Sequence, residues 1–62
     1  MIHMGSTVCW RGEPALTGEV IDISLWRTSI KVRVLSVPQG NTLQVGFEDW
    51  FRLGDWRERQ QD

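Results

Sequence analysis

Ile30, Val32 and Val34 alternate with Lys31, Arg33 and Leu35. This period of two puts β-branched side chains on one face of the backbone and two cations on the other, which a helix of 3.6 residues per turn cannot do. It predicts a half-buried β-strand over residues 29–36. Upstream, residues 18–25 read Gly-Glu-Val-Ile-Asp-Ile-Ser-Leu. Val20 and Ile21 are adjacent, and Ile23 and Leu25 continue the second phase. One extra residue that switches faces accounts for this, so the reading is a long strand bent by a bulge near residues 20–22. Gly18 predicts a bend, or a place where a neighbouring backbone comes close. Trp26-Arg27-Thr28 is a short connection and predicts a hairpin between the two strands.

The flanking segments extend the pattern. Thr7-Val8-Cys9-Trp10 reads as a first short strand with Val8 and Trp10 inward and Cys9 outward. Residues 11–15 hold Gly12 and Pro14 and read as a loop, because proline cannot donate to a ladder. In residues 37–41, Pro38 suits the first corner of a type I turn and Gly40 its exit. Residues 42–47 read as a fourth strand with Leu43, Val45 and Phe47 inward. Glu48-Asp49-Trp50 is expected to form one turn of 3-10 helix, and Phe51-Arg52-Leu53 a short closing strand. Residues 1–5 and 57–62 carry no pattern and are expected to be loosely held. The core expected from this alternation is Val20, Ile23, Ile30, Val32, Val34, Leu43, Val45 and Phe47.

Sixty-two residues form a single domain with one core. A chain this short buries only about 60% of its unfolded surface. Cys9 is its one cysteine, which excludes an internal disulfide and gives no sign of an oxidising compartment. The N-terminus does not read as a signal peptide and no apolar run reaches spanning length, so a cytoplasmic protein with no membrane contact is expected. The four tryptophans exceed what so small a core can hide, and at least one is expected to contact another chain.

The net charge of −1 conceals a pattern. Residues 23–47 carry Arg27, Lys31 and Arg33 and no acid, whereas the segments on either side are each net acidic. No catalytic or metal signature is legible. His3 is the one histidine, and it has no partner ligands at metal spacing. Cys9 lacks a neighbouring base, and Glu19 and Asp22 stand three apart on a strand, which favours opposite faces. The one site-like constellation is Trp26 and Arg27 with Lys31 and Arg33, and Trp50 and Trp56 are expected to form a second apolar patch. A cation row beside an aromatic can hold phosphates and stack a base. Tryptophan and arginine are also the residues enriched at protein hot spots. The low cation count and the negative net charge favour the protein contact.

Five strands with a 3-10 turn before the last resemble an SH3-like barrel. Gly5-Ser6-Thr7-Val8 resembles the G-D-x-V opening of many such barrels. Residues 17–23, Thr-Gly-Glu-Val-Ile-Asp-Ile, resemble the G-x-V-x-x-I stretch of the KOW type of ribosomal and transcription-elongation proteins. That resemblance implies nucleic-acid binding. Glu13 and Glu19, however, stand where the KOW type carries a basic loop. The chain is also similar to the plasmid-encoded, trimethoprim-resistant dihydrofolate reductases, short SH3-like chains that form tetramers around one pore. Gln44-Val45-Gly46 matches their pore-lining Gln-Ile-Tyr element at the glutamine, with glycine in place of the tyrosine. The expectation is therefore an all-β, SH3-like barrel that serves as a binding or adaptor module without catalytic residues or cofactor. It meets a protein partner or associates with itself. A nucleic-acid-binding module is the alternative and an oligomeric reductase the third.

Overall fold

The computed structural model describes residues 1–59. It is all-β, with five strands: β1 (Thr7–Trp10), β2 (Glu13–Ile23), β3 (Ser29–Ser36), β4 (Glu48–Arg52) and β5 (Trp56–Glu58). A single 3-10 turn, Leu53–Asp55, precedes β5. All neighbouring strands are antiparallel, in the order β4-β3-β2-β1-β5. The sheet does not close, so β4 and β5 are its two edges.

The alternating strand lies where its periodicity puts it. Ile30, Val32 and Val34 of β3 are buried. The bulge in β2 is also present. Val20 faces Val32 and Asp22 faces Lys31, so Ile21 is the extra residue. A second irregularity sits beside it. Thr17 faces Ser36 and Gly18 faces Val34, which leaves Leu35 unpaired and half-exposed. The two bulges, one in each strand, sharpen the twist of the β2–β3 pair, and β2 pairs with β1 on its other side. Gly18 is the point of closest approach. A Cβ there would overlap Val32 Cγ1 and come within 2.9 Å of the Arg33 carbonyl oxygen.

The core comprises Val8, Leu16, Val20, Ile30, Val32, Val34 and Trp56, with Ile2, Ile23, Val37, Leu43, Phe51 and Leu53 packed against it. Leu16 belongs to the same alternating phase as Gly18 and Val20, so β2 starts earlier than its breakers suggest. Pro14 is tolerated because pairing with β3 begins only at Thr17. Val8 is in the core and Trp10 lies opposite the core residue Trp56, so both sit on the expected face although Trp10 is 39% exposed, and Cys9, on the other face, is buried all the same.

The second half of the chain differs most from expectation. Residues 42–47 form a loop rather than a strand, and Val45 and Phe47 are exposed. The fourth strand is Glu48–Arg52, the 3-10 turn is Leu53–Asp55, and Trp56 opens the last strand. Every element of the expected order is present, displaced towards the C-terminus. The turn after β3 has the Asn41 amide donating to the Pro38 carbonyl at 3.1 Å, with Gly40 at φ +89°. Gly40 therefore occupies the third corner, where positive φ favours glycine, and Pro38 opens the turn.

Trp56 is 2% exposed, and its ring meets Phe51 edge-on with centroids 5.3 Å apart. It therefore lies in the core and is no part of a surface patch. Its neighbour across the β1–β5 ladder is Trp10. The ends of the chain are engaged as well. The Gly5 amide donates to the Val20 carbonyl, and the Arg59 amide to Thr7. Residues 60–62 of the expected tail lie outside the described residues.

Candidate functional site

The β2–β3 connection is a tight, well-bonded turn. The Ser24 amide donates to the Ser29 carbonyl at 3.0 Å, and the Arg27 amide to the Ser24 carbonyl at 2.9 Å. Ser24 Oγ accepts from the amides of Thr28 and Ser29 at 3.1 and 3.0 Å. A serine side chain bonding nearby amides is a common way of closing a turn. The Leu53 amide then donates to the Thr28 carbonyl, which ties the base of the hairpin to the 3-10 turn. Arg27 sits at φ +56°, the left-handed region that a side chain adopts at a cost of about 1–2 kcal/mol. The result is a rigid tip that presents Leu25 and Trp26, 87% and 82% exposed, with Arg27 beside them.

Lys31 and Arg33 stand on the outer face of β3, opposite the core residues of that strand. Their surroundings differ. Arg33 Nε donates to Glu48 Oε2 at 2.8 Å, and its NH1 nitrogen lies 3.8 Å from Glu19. The Glu48 hydrogen bond and charge, helped by Glu19, raise the Arg33 pKa further above its already high value. Lys31 faces Asp22 on one side and Trp50 on the other. Trp50 is 44% exposed on this outer face. Sequence reasoning expected a continuous cation row. The structure places an acid on each side of Arg33, because the registers with β2 and β4 bring Glu19 and Glu48 level with it. Trp26 and Arg27 are at the tip, Lys31 and Trp50 form a cross-strand pair, and Trp56 is on the opposite side of the sheet in the core.

The described residues line two open hollows of note. Residues 42–47 curl around one of about 510 Å3. Gln44 lines it, together with a hydroxyl, apolar side chains and backbone, but no ionisable group does. It can form hydrogen bonds but holds no group suited to proton transfer. The other, about 420 Å3, is lined by Cys9, Arg57, Glu58 and Arg59. Glu58 is engaged at its edge, accepting from the N-terminal ammonium at 3.0 Å and from Ser6 Oγ at 3.1 Å. Those two contacts hold its pKa below the usual carboxylate range. Among the described residues no three of His, Cys, Asp and Glu converge as metal ligands, and no helix is long and apolar enough to cross a membrane.

The exposed Leu25 and the edge position of Trp50 were not legible in the sequence. Leu25 reads as the continuation of an inward phase, yet the strand ends at Ile23 and the turn swings it into solvent. No family model, curated protein or solved structure gives a significant match to the chain.

Proposed function

We propose that this protein is a non-catalytic binding module that acts through protein–protein contacts and self-associates. One observation carries the protein-contact reading: Leu25 and Trp26 are almost fully exposed on a tip whose backbone is fixed by Ser24. Large apolar side chains held in water invite burial by a partner. A tip that is already ordered loses little conformational entropy on binding. Tryptophan and arginine are among the residue types most enriched where binding energy concentrates. The SH3-like architecture is supported by the strand order and by the 3-10 turn before the last strand. Cys9, a buried free thiol, fits a cytoplasmic setting.

The nucleic-acid reading draws support from Lys31 beside the half-exposed Trp50. It is weakened at Arg33, whose charge is already met by Glu48 and Glu19. Few phosphates can then be neutralised, and affinity for nucleic acid follows that number. The two readings separate by experiment. Trp26→Ala should abolish capture of a protein partner, a loss of at least about tenfold in affinity for a hot-spot tryptophan. Lys31→Gln with Arg33→Gln should leave that capture largely intact. A gel shift showing nucleic-acid binding tighter than about 1 μM at physiological salt, lost in the Lys31/Arg33 double variant, would overturn the protein-contact reading.

A further inference from the structure

Strand β4 ends the sheet and is paired on one side only, with β3. The Trp50 amide donates to the Asp49 carboxylate at 2.8 Å rather than to β3. In an antiparallel ladder, alternate residues turn their backbone groups to opposite sides. Glu48, Trp50 and Arg52 therefore direct their amides and carbonyls towards the open edge. Their side chains share the outer face with Arg33, Lys31 and Ser29, their respective partners on β3. An edge of this kind is a template for another strand.

The edge reads Glu-Asp-Trp-Phe-Arg. Laid antiparallel against itself about Trp50, it is its own complement. Glu48 meets Arg52 of the second copy, Trp50 meets Trp50, and Arg52 meets Glu48. Asp49 falls opposite Phe51 on the other face, so no acid meets an acid. We propose that two copies pair β4 to β4 in this register, about a two-fold axis at Trp50, and join their sheets edge to edge. The pairing names the surface for the self-association proposed above and rests on that part of the reading, not on the tip contact.

Charge selects the register, and length selects the edge. Arg52 has no carboxylate within ion-pair distance among the described residues, and a second copy supplies one. Glu48 already accepts from Arg33, and a carboxylate has lone pairs for a second guanidinium. The other edge, Trp56–Glu58, is only three residues long and cannot offer a ladder of five pairs. A slip of two residues along β4 would leave Glu48 or Arg52 opposite Trp50. On pairing, the Asp49 carboxylate gives up the Trp50 amide to the Trp50 carbonyl of the second copy, so the donor exchanges one acceptor for another. Five residues a side make a small contact, so the dimer is expected to be weak and concentration-dependent.

Sedimentation equilibrium of the full chain at high micromolar concentration tests this. The unaltered protein should show dimer. Glu48→Arg and Arg52→Glu should each weaken association at least about tenfold, because both symmetry-related pairs become like-charged. An equimolar mixture of the two variants should recover a dimer, since each Glu then meets an Arg. The double exchange Glu48→Arg with Arg52→Glu should dimerise as the parent does, and it decides the matter should a single variant fail to fold by circular dichroism. Trp26→Ala should leave the mass unchanged. A parent dimer that neither single variant weakens, or a mixture or double exchange that stays monomeric, would overturn the β4 pairing and leave self-association standing. A parent that is strictly monomeric would remove both.

Discussion

Gly18→Ala adds one methyl group at the tightest point of the sheet. The added carbon would overlap Val32 Cγ1 and stand 2.9 Å from the Arg33 carbonyl oxygen. Neither neighbour can give way easily. Val32 is fully buried and, being β-branched, stiff at χ1. The oxygen belongs to the backbone of β3. The strands must therefore move apart, and overpacking of this kind costs about 1–3 kcal/mol, occasionally more. Alanine recovers roughly 0.5–1 kcal/mol because it loses less backbone freedom than glycine on folding. A net loss of about 1 kcal/mol is expected, against a total of about 3–9 kcal/mol for a chain of this length. With a urea slope of about 1 kcal/mol per molar, the unfolding midpoint followed by circular dichroism should fall by about 1 M. Gly54→Ala is the control. A Cβ there meets nothing within 4 Å, so the substitution should be neutral or stabilise by up to about 1 kcal/mol. A Gly18→Ala midpoint within about 0.5 M of the parent would refute the close approach of β2 and β3.

Two further outcomes follow from the core and from Glu58. Val32→Ala removes two methyl groups from a fully buried site and should cost about 1–3 kcal/mol in urea unfolding, from lost burial and the cavity left behind; a change under about 0.5 kcal/mol would place Val32 on the wrong face. Glu58 has its pKa lowered by the N-terminal ammonium and by Ser6, so its charged form stabilises the fold above the ordinary carboxylate pKa, and that contribution disappears as pH falls through the lowered value. Glu58→Gln should therefore be less stable than the parent at neutral pH, with the gap closing in acid below about pH 4, as thermal melts across pH would record; a gap that widens in acid would contradict the ion pair.

Alternation is legible where a strand has one face in the core and one in water, as in β3, because burial then imposes a period of two on the side chains. The adjacent Val20 and Ile21 in β2 break that period, and the break itself marks the bulge. Gly18 announces a close approach because a strand interior rarely spares a side chain without a reason. Residues 42–47 show the limit of such reasoning. Leu43, Val45 and Phe47 alternate as well as any strand, yet they form a loop. In β4, Asp49 occupies a core-side position opposite Val32 but lies beyond the covered part of the sheet, so no alternation reveals the strand. The candidate site divides in the same way. An aromatic beside cations at a hairpin tip can be read directly. The pairing of Arg33 with Glu48 and Glu19 cannot, because it depends on two registers at once.

The order of elements, five strands with one 3-10 turn before the last, was written in local patterns and turn residues. The boundaries after residue 41 were not, since residues 42–47 alternate yet form a loop, whereas residues 48–52 show no alternation yet form a strand. Long-range packing made the choice. β3 takes Glu48–Arg52 as its neighbour, which turns Phe51 towards Ile30 and Trp56. Trp56 is the clearest instance. It stands alone before the polar Arg57, Glu58 and Arg59, and no periodicity marks it as buried. It enters the core because the 3-10 turn brings the chain back beside β1, where the largest of the fully buried side chains fills the space that five short strands leave open. Local sequence sets what each segment prefers, and burial is a property of the whole assembly of segments, which exists only once the chain has returned on itself.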